Sequence, residues 1–509
     1  MMQRAKLMSS VGLIPAKQEI NEALSALEAS PSNTQSVYTN VTRIFNALAD
    51  HPQAQLVVGS TLATQQSVQL IQKLVRMHLR EEEVQWTLSR VIYLACQTST
   101  RFQCQAGKLD LWNDLFDMRS THTESVRVQE SSLRASEALF RSNEFHATKL
   151  QPQKLLDDLL NVMDRFSRVQ TPQRRAHKLV VLALRVLVAM YLSPRPTGLM
   201  LFSGNCPAEG EKWAIEISRR MLDSFAIFNR EIDSIRSLLD MALILVRQYP
   251  VQTMGSLFSP ENSDITSWFT AVIEKWKAQA EVMNALFTPL THIFALPHKT
   301  IGEDVLVALA DKLILDHNLL DVVCGVIDHY HHRTNEVKGT QHDAVVLVLL
   351  ETTRLARQWS ERPKLLLRFE ALRSVKVTLL PVLIEHLQMH SKAPLSPKPL
   401  VFVLEVLLIL RYLAESHSLR HVLVGSESLQ ASLKWLHCGS FAGDDGDLDA
   451  LVAREARSLS RLVAIGVVVA PKDNSRSTIV VSKAAVVVAK RRQLQAKAET
   501  LAAYGIAKR

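Results

Sequence analysis

Residues 400–415 read LVFVLEVLLILRYLAE, and only Glu405 and Arg411 carry charge before the closing Glu415. A helix made from this stretch is apolar on nearly every face, so it has to be covered around most of its circumference. It is too short and too charged to cross a bilayer. The chain must therefore supply neighbours on several sides. The next residues have that form. A short polar break leads to a brief helix carrying Leu419, Val422 and Leu423, then Gly425, then a helix with Leu429, Leu433 and Leu436 at i, i+4, i+7.

The same order occurs twice near the start. VTRIFNALAD (41–50) ends on Leu48-Ala49 and leads to Gly59 and a helix through Val68, Ile71 and Val75. A long helix from about residue 81 carries Val84, Leu88, Val91 and Ile92 and ends on Leu94-Ala95. Gly107 follows, then a helix with Leu111, Trp112, Leu115 and Phe116. From the Ala of each Leu-Ala pair (Ala49, Ala95, Ala414) to the glycine is 10, 12 and 11 residues. The small Ala is expected to let a neighbouring helix approach. The Gly is expected to turn the chain with positive φ.

Long helix, short helix, glycine turn and medium helix together resemble the armadillo repeat, most closely over 41–118 and 400–438. The middle can be traced with drift. Unit starts near 41, 84, 127, 178, 234, 281, 343, 400 and 450 give spacings of 43–62 residues, longer than the ~40–47 usual for such arrays. Helical stretches are expected over 303–332 and 363–390. The fold class read from this is all-α, a right-handed α-solenoid of roughly eight to nine irregular armadillo-like repeats, with an irregular helical bundle as the alternative. The expected division is a lead-in (1–36) with a polar helix around Glu19–Glu28, the array (37–470), and a basic Ala/Val/Lys-rich tail (471–509).

Composition agrees. The 16 Gly, 18 Pro and 21% charged residues suit helices rather than many-turned β structure, and no βαβ alternation is present. Five scattered cysteines without a CxxC pair suit a reducing, cytoplasmic setting. The net charge of +9 is uneven: residues 472–509 hold nine Lys/Arg and two acids, leaving +2 for everything before them. The tail either aids solubility or contacts RNA or an acidic partner, with Lys490, Arg491 and Arg492 its densest run. The first 18 residues lack acids and carry Arg4, Lys6 and Lys17, which fits a mitochondrial presequence or a frayed terminus.

Candidate chemistry fails on spacing. Gly204 to Lys212 is no P-loop, because five residues separate the glycines and the Lys is displaced. Asp445, Asp447 and Asp449 begin like an EF-hand loop, but Ala450 and Ala456 occupy its Gly and Glu positions. His329, His331, His332 and His342 sit at a helix end and beyond it, and His386 and His390 lack the Glu of HExxH. No nucleophile motif occurs. The reading is a non-enzyme needing no cofactor or metal.

What the resemblance implies is protein binding: the long helices line an extended concave groove that holds a peptide or partner helix. Trp86-Thr87-Leu88-Ser89 resembles the Trp ladder of the importin-alpha branch. Arg90 stands where its Asn would follow, and the other long helices lack the Trp, which argues against an adaptor for basic signals. The polar residues of the long helices are often arginines. Arg43, Arg90, Arg185, Arg247, Arg354 and Arg411, with Tyr93 and Tyr412, are the candidate groove residues, expected to favour a carboxylate-bearing partner. The leading expectation is a scaffold or adaptor, in a cytoskeletal or ciliary assembly. The alternative is an RNA-associated or organellar factor acting through the tail alone. Oligomeric state is not legible.

Overall fold

The computed structural model describes residues 2–49, 61–141, 151–167, 174–192, 207–227, 231–259, 263–296, 300–316, 318–333, 340–390, 397–438 and 446–465. No strand occurs among the described residues. The helices are α1 (Met2–Ala29), α2 (Thr34–Ala49), α3 (Gln65–Met77), α4 (Glu82–Thr98), α5 (Thr100–Lys108), α6 (Leu111–Thr121), α7 (Val126–Phe140) and α8 (Pro152–Ser167). They continue as α9 (Arg174–Leu192), α10 (Pro207–Ile227), α11 (Ile232–Gln248), α12 (Pro250–Ser256), α13 (Ser263–Trp276), α14 (Ala280–Ala295), α15 (Glu303–Asp311) and α16 (Leu319–Arg333). The last are α17 (Thr340–Ser360), α18 (Pro363–Ala371), α19 (Leu380–His390), α20 (Pro397–Leu413), α21 (His417–Val424), α22 (Glu427–Cys438) and α23 (Gly446–Ile465).

Two rows emerge. In the first, α2, α4, α7, α9, α11, α14, α17, α20 and α23 each pack against the next. In the second, α3, α6, α8, α10, α13, α16, α19 and α22 do the same. Short helices such as α5, α12, α18 and α21 connect the end of a first-row helix to the next second-row helix. Contact between neighbouring units along both rows defines an α-solenoid of the armadillo/HEAT-like kind. The apolar helix of the opening stretch is α20, covered by α17 on one side, α23 on the other and α19 behind.

Local chemistry sets the corners. Ser99 is both the C-cap of α4 and the N-cap of α5, in extended backbone, with its hydroxyl accepting from the Phe102 amide. Tyr249 does both jobs between α11 and α12, and Pro250 opens the second helix, where a missing N–H costs nothing. Arg362 and Pro363 start α18 in the same way. Ser125 and Ser416 cap α7 and α21.

The glycine turn is corrected. Gly107 lies inside α5, whereas Gly425 does sit at the turn, as the C-cap of α21, but with φ −75°. A Cβ at Gly425 would meet only carbonyl oxygens at 3.8 and 3.9 Å, an ordinary contact. Among the described residues the left-handed non-glycine positions are Asp110 (φ 54°) and Asn318 (φ 50°), short polar side chains that tolerate this region. Gly59 lies outside the described residues. Ala95 and Ala414 are fully buried as expected, but Ala49 is exposed. The helical stretches expected over 303–332 and 363–390 are each broken. Asn318 separates α16 from α15 and a π turn at Lys312–Asp316, and extended Leu372 separates α18 from a second π turn at Val375–Leu379. Residues 2–29, read as part of a lead-in, form α1, which packs on α2 with Ile20, Ala23 and Leu27 buried.

Polar side chains tie unit to unit. Gln85 Nε2 donates to the Val75 and His78 carbonyls at 2.9 and 2.8 Å, and His78 Nε2 donates to Pro31 O at 2.7 Å. Forty-four residues on, Gln129 serves Arg119 O and His122 O, and His122 serves Leu79 O. The second row repeats as well: Arg76 pairs with Asp114 at 2.7 Å, and Arg119 with Asp158 at 2.8 Å. Each of these answers a helix-end carbonyl or a buried charge that would otherwise stand unpaired.

In α20, Glu405 reaches back to Arg357 (2.5 Å) and Arg354 (3.3 Å) of α17, and Arg411 reaches forward to Glu455 of α23 (2.9 Å). Arg411 and Glu455 are both buried. Glu455→Ala is expected to cost about 3–5 kcal/mol by leaving a buried guanidinium without its carboxylate. Hydrogen exchange should then quicken in α20 and α23 and not in α2 and α4. Leu at both positions should recover most of the loss.

Candidate functional site

Several first-row helices keep a partly open stripe, whereas on α9 residues 179–190 are buried except for Arg185. On α4 it runs Trp86, Arg90, Tyr93 and Gln97, spaced i, i+4, i+7, i+11, with Val84, Leu88, Val91, Ile92 and Ala95 buried elsewhere on the helix. On α20 it runs Val401, Leu404, Leu408 and Tyr412, all half-buried. Leu347 on α17 is 46% exposed. These stripes form the candidate surface, the part of the long helices that neither neighbour covers.

The six candidate arginines lie on the first row, and most bridge to a neighbouring helix. Arg43 of α2 approaches Glu19 and Glu22 of α1 at 3.7 and 3.6 Å. Arg185 of α9 binds the buried Glu137 of α7 at 2.8 Å. Arg354 of α17 holds Glu351 at 2.9 Å and Glu405 of α20. Arg411 is committed to Glu455. Arg247 of α11, exposed, donates to His292 Nε2 of α14 at 2.9 Å. Arg90 makes no ion pair among the described residues. Its guanidinium lies 3.6 Å from the centre of the Phe45 ring of α2 and 4.6 Å from that of Trp86. Arg127 of α7 covers Trp86 in turn, at 5.3 Å, and is itself paired with Glu82 and Glu83.

The tyrosines are held as well. Tyr93 Oη accepts from Gln97 at 2.6 Å. Burial pushes the Tyr412 hydroxyl up to about 12, and the Glu361 carboxylate adds to the rise. Arg411 also covers the Tyr412 ring at 4.8 Å. Lys490, Arg491 and Arg492 lie outside the described residues.

Sequence reasoning missed several of these positions. Phe45 and Arg127 complete the stack around Arg90, and their signal was spacing: Arg90 and Phe45 stand near equivalent places one unit apart. His292 carried no signal, because only the fold brings it to Arg247. Two histidines considered separately, His331 and His386, meet in the second row with Nδ1 atoms 3.3 Å apart, beside the Glu385 carboxylate. Burial lowers the His331 pKa. Among the described residues no group of three or more His, Cys, Asp or Glu is placed to hold a metal ion, and no helix is long and apolar enough to cross a membrane.

No protein-family model matches this sequence, and comparison with curated protein sequences gives no match. Among solved structures the fold is similar to SYS-1 (11% identity, TM-score 0.44, over 89% of this chain and 86% of that one). It is also similar to Kap95p bound to RanGDP (12%, TM-score 0.47, 89% and 54%). A third is beta-catenin from work on its phosphorylation-controlled interaction with cadherin (13%, TM-score 0.30, 90% and 96%). These likenesses concern helical-repeat architecture and say nothing of what this chain binds.

His292 offers a local test. Burial, with Arg247 and Arg354 adding to it, holds its pKa down to about 4 against an ordinary 6.5. The folded state then binds this proton more weakly than the unfolded chain. The stability His292 contributes is complete above pH 6.5 and is lost as the pH falls toward 4. Thermal midpoints of wild type and His292→Gln should converge at neutral pH, and the wild type should lose more on acidification to about pH 4.

Proposed function

We propose that this protein is a non-enzymatic scaffold that holds a partner protein, as an extended segment or helix, along the open stripes of its first-row helices. The observation that carries the reading is that nine long helices stack without interruption. Their uncovered positions include half-buried Trp86, Tyr93 and Tyr412 and exposed Leu347. Aromatic side chains that are half-covered in the free protein are good anchors, since they bury area at little entropic cost. In this reading residues 37–470 are the binding array and 471–509 a separate basic tail. The setting is the cytoplasm, within a cytoskeletal or ciliary assembly where a partner must be gripped along its length.

A second reading draws on the last described helices. Arg454, Arg457 and Arg461 are exposed on α23, as is Lys434 on α22, in a stretch that leads by sequence into the basic tail. That distribution is suited to RNA phosphates.

One experiment separates the two. A photo-crosslinking amino acid placed at Tyr93 should capture a partner protein in cells, and the same group at Arg165, on α8 of the second row, should not. RNA capture that weakens steeply with salt and disappears when 472–509 is deleted would replace the scaffold reading with the second. Imaging the tagged chain decides the cytoskeletal or ciliary placement.

A further inference from the structure

The arginines of the first row are not equivalent. Arg185, Arg354 and Arg411 have carboxylates within 2.8–3.3 Å on the adjoining long helix, and Arg43 has two on α1. Their charges are neutralised inside the array. Arg90 and Arg247 differ: among the described residues neither has a carboxylate in ion-pair range. Arg90 is sandwiched between Phe45 and Trp86. Stacking fixes the guanidinium plane and leaves its N–H edge for a ligand, the geometry that suits bidentate binding of a carboxylate. Burial lowers the pKa of Arg90, and no acid raises it, as for a cation short of a counter-charge. Arg247 is anchored by His292, which burial keeps neutral. A neutral imidazole accepts one N–H and cancels no charge. Gln248 beside it is tied to Tyr191 Oη at 2.6 Å, so this neighbour is held in place.

Both residues are positioned without being neutralised, which is wasteful unless a partner brings the negative charge. Arg90 sits on α4 and Arg247 on α11, three first-row steps apart through α7 and α9. Helices in contact lie about 8–10 Å apart, so three steps span roughly 24–30 Å. An extended chain rising ~3.3 Å per residue covers that in about seven to nine residues.

We infer that Arg90 and Arg247 are two anchor points for one extended acidic peptide, each taking an Asp or Glu side chain, with the two acids about seven to nine residues apart. The inference rests on the scaffold reading above and specifies its partner. Arg354 and Arg411 do not take part, because their partners are already in place. Specificity comes from the spacing, since a peptide with one acid, or with two at the wrong interval, engages only one anchor at a time.

The test uses the full chain and fluorescent Ser/Thr-rich peptides carrying two glutamates about eight residues apart, two adjacent glutamates, or one. The correctly spaced peptide is expected to bind at least about tenfold more tightly than either control. Arg90→Met and Arg247→Met should each reduce it to the level of the single-Glu peptide. Arg90→Lys should fall short of wild type, since it keeps the charge but loses the planar fork. Arg354→Met should leave binding unchanged, with circular dichroism confirming the fold of every variant. Equal binding of adjacent and spaced glutamates overturns the inference, as does undiminished binding by the double variant or binding that depends only on 472–509. If crosslinking at Tyr93 captures a protein while none of these peptides binds, the scaffold reading stands and the acidic partner is wrong. If neither does, both fall.

Discussion

The contact of each long helix with the next is what the rest of the molecule depends on. Among the described residues the buried side chains form one core that runs from unit to unit, because each unit packs on its neighbours. α20 shows what that demands. Its apolar faces are covered by α17, α19 and α23, and its two internal charges each go to a different neighbour. Glu405 turns back to Arg354 and Arg357, and Arg411 turns forward to Glu455. A helix that looks in isolation like a greasy rod with two flaws is a rod with one polar tie for each side. A buried pair of this kind adds little net stability, but it fixes which neighbour sits where.

The same economy shapes the surface. Most first-row arginines reach across to a neighbouring helix, so the open stripes carry less free charge than their sequence suggests. What is left over becomes informative. Of the six candidate arginines, Arg90, held between two rings, and Arg247, resting on a neutral histidine, are fixed in place without a carboxylate partner among the described residues. The importin-like Trp86 also looks different in this light. Its faces are covered by the chain's own Arg90 and Arg127, so it supports cations rather than receiving a partner's.

Irregularity is tolerated because only neighbours must fit. First-row helix starts are 44–60 residues apart, and the two π turns and the left-handed Asn318 sit among the short helices and second-row entries. The first-row helices continue to stack past each of them. The polar ties repeat best where the units are most regular, in the Gln85/His78 and Gln129/His122 arrangements.

Helix identity, the all-α class and the succession of long helices were legible in the sequence. Apolar periodicity reports how much of a helix must be buried, and a recurring order of long, short and medium helices leaves few ways to bury it. Starts read near 84, 127, 234, 281 and 400 fall at α4, α7, α11, α14 and α20. The corners were read less well. Gly107 was assigned a turn that Asp110 makes, and Gly425 caps α21 without the positive φ expected of it, because backbone conformation at a cap depends on local hydrogen bonds that composition does not record. The site divides along the same line. Sequence placed arginines on the long helices, since polar residues in an apolar helix stand out. Only the tertiary structure decided which are tied and which stand unpaired. An ion pair depends on a carboxylate some fifty residues away lying within a few ångströms, and that separation is set by how one unit stacks on the next.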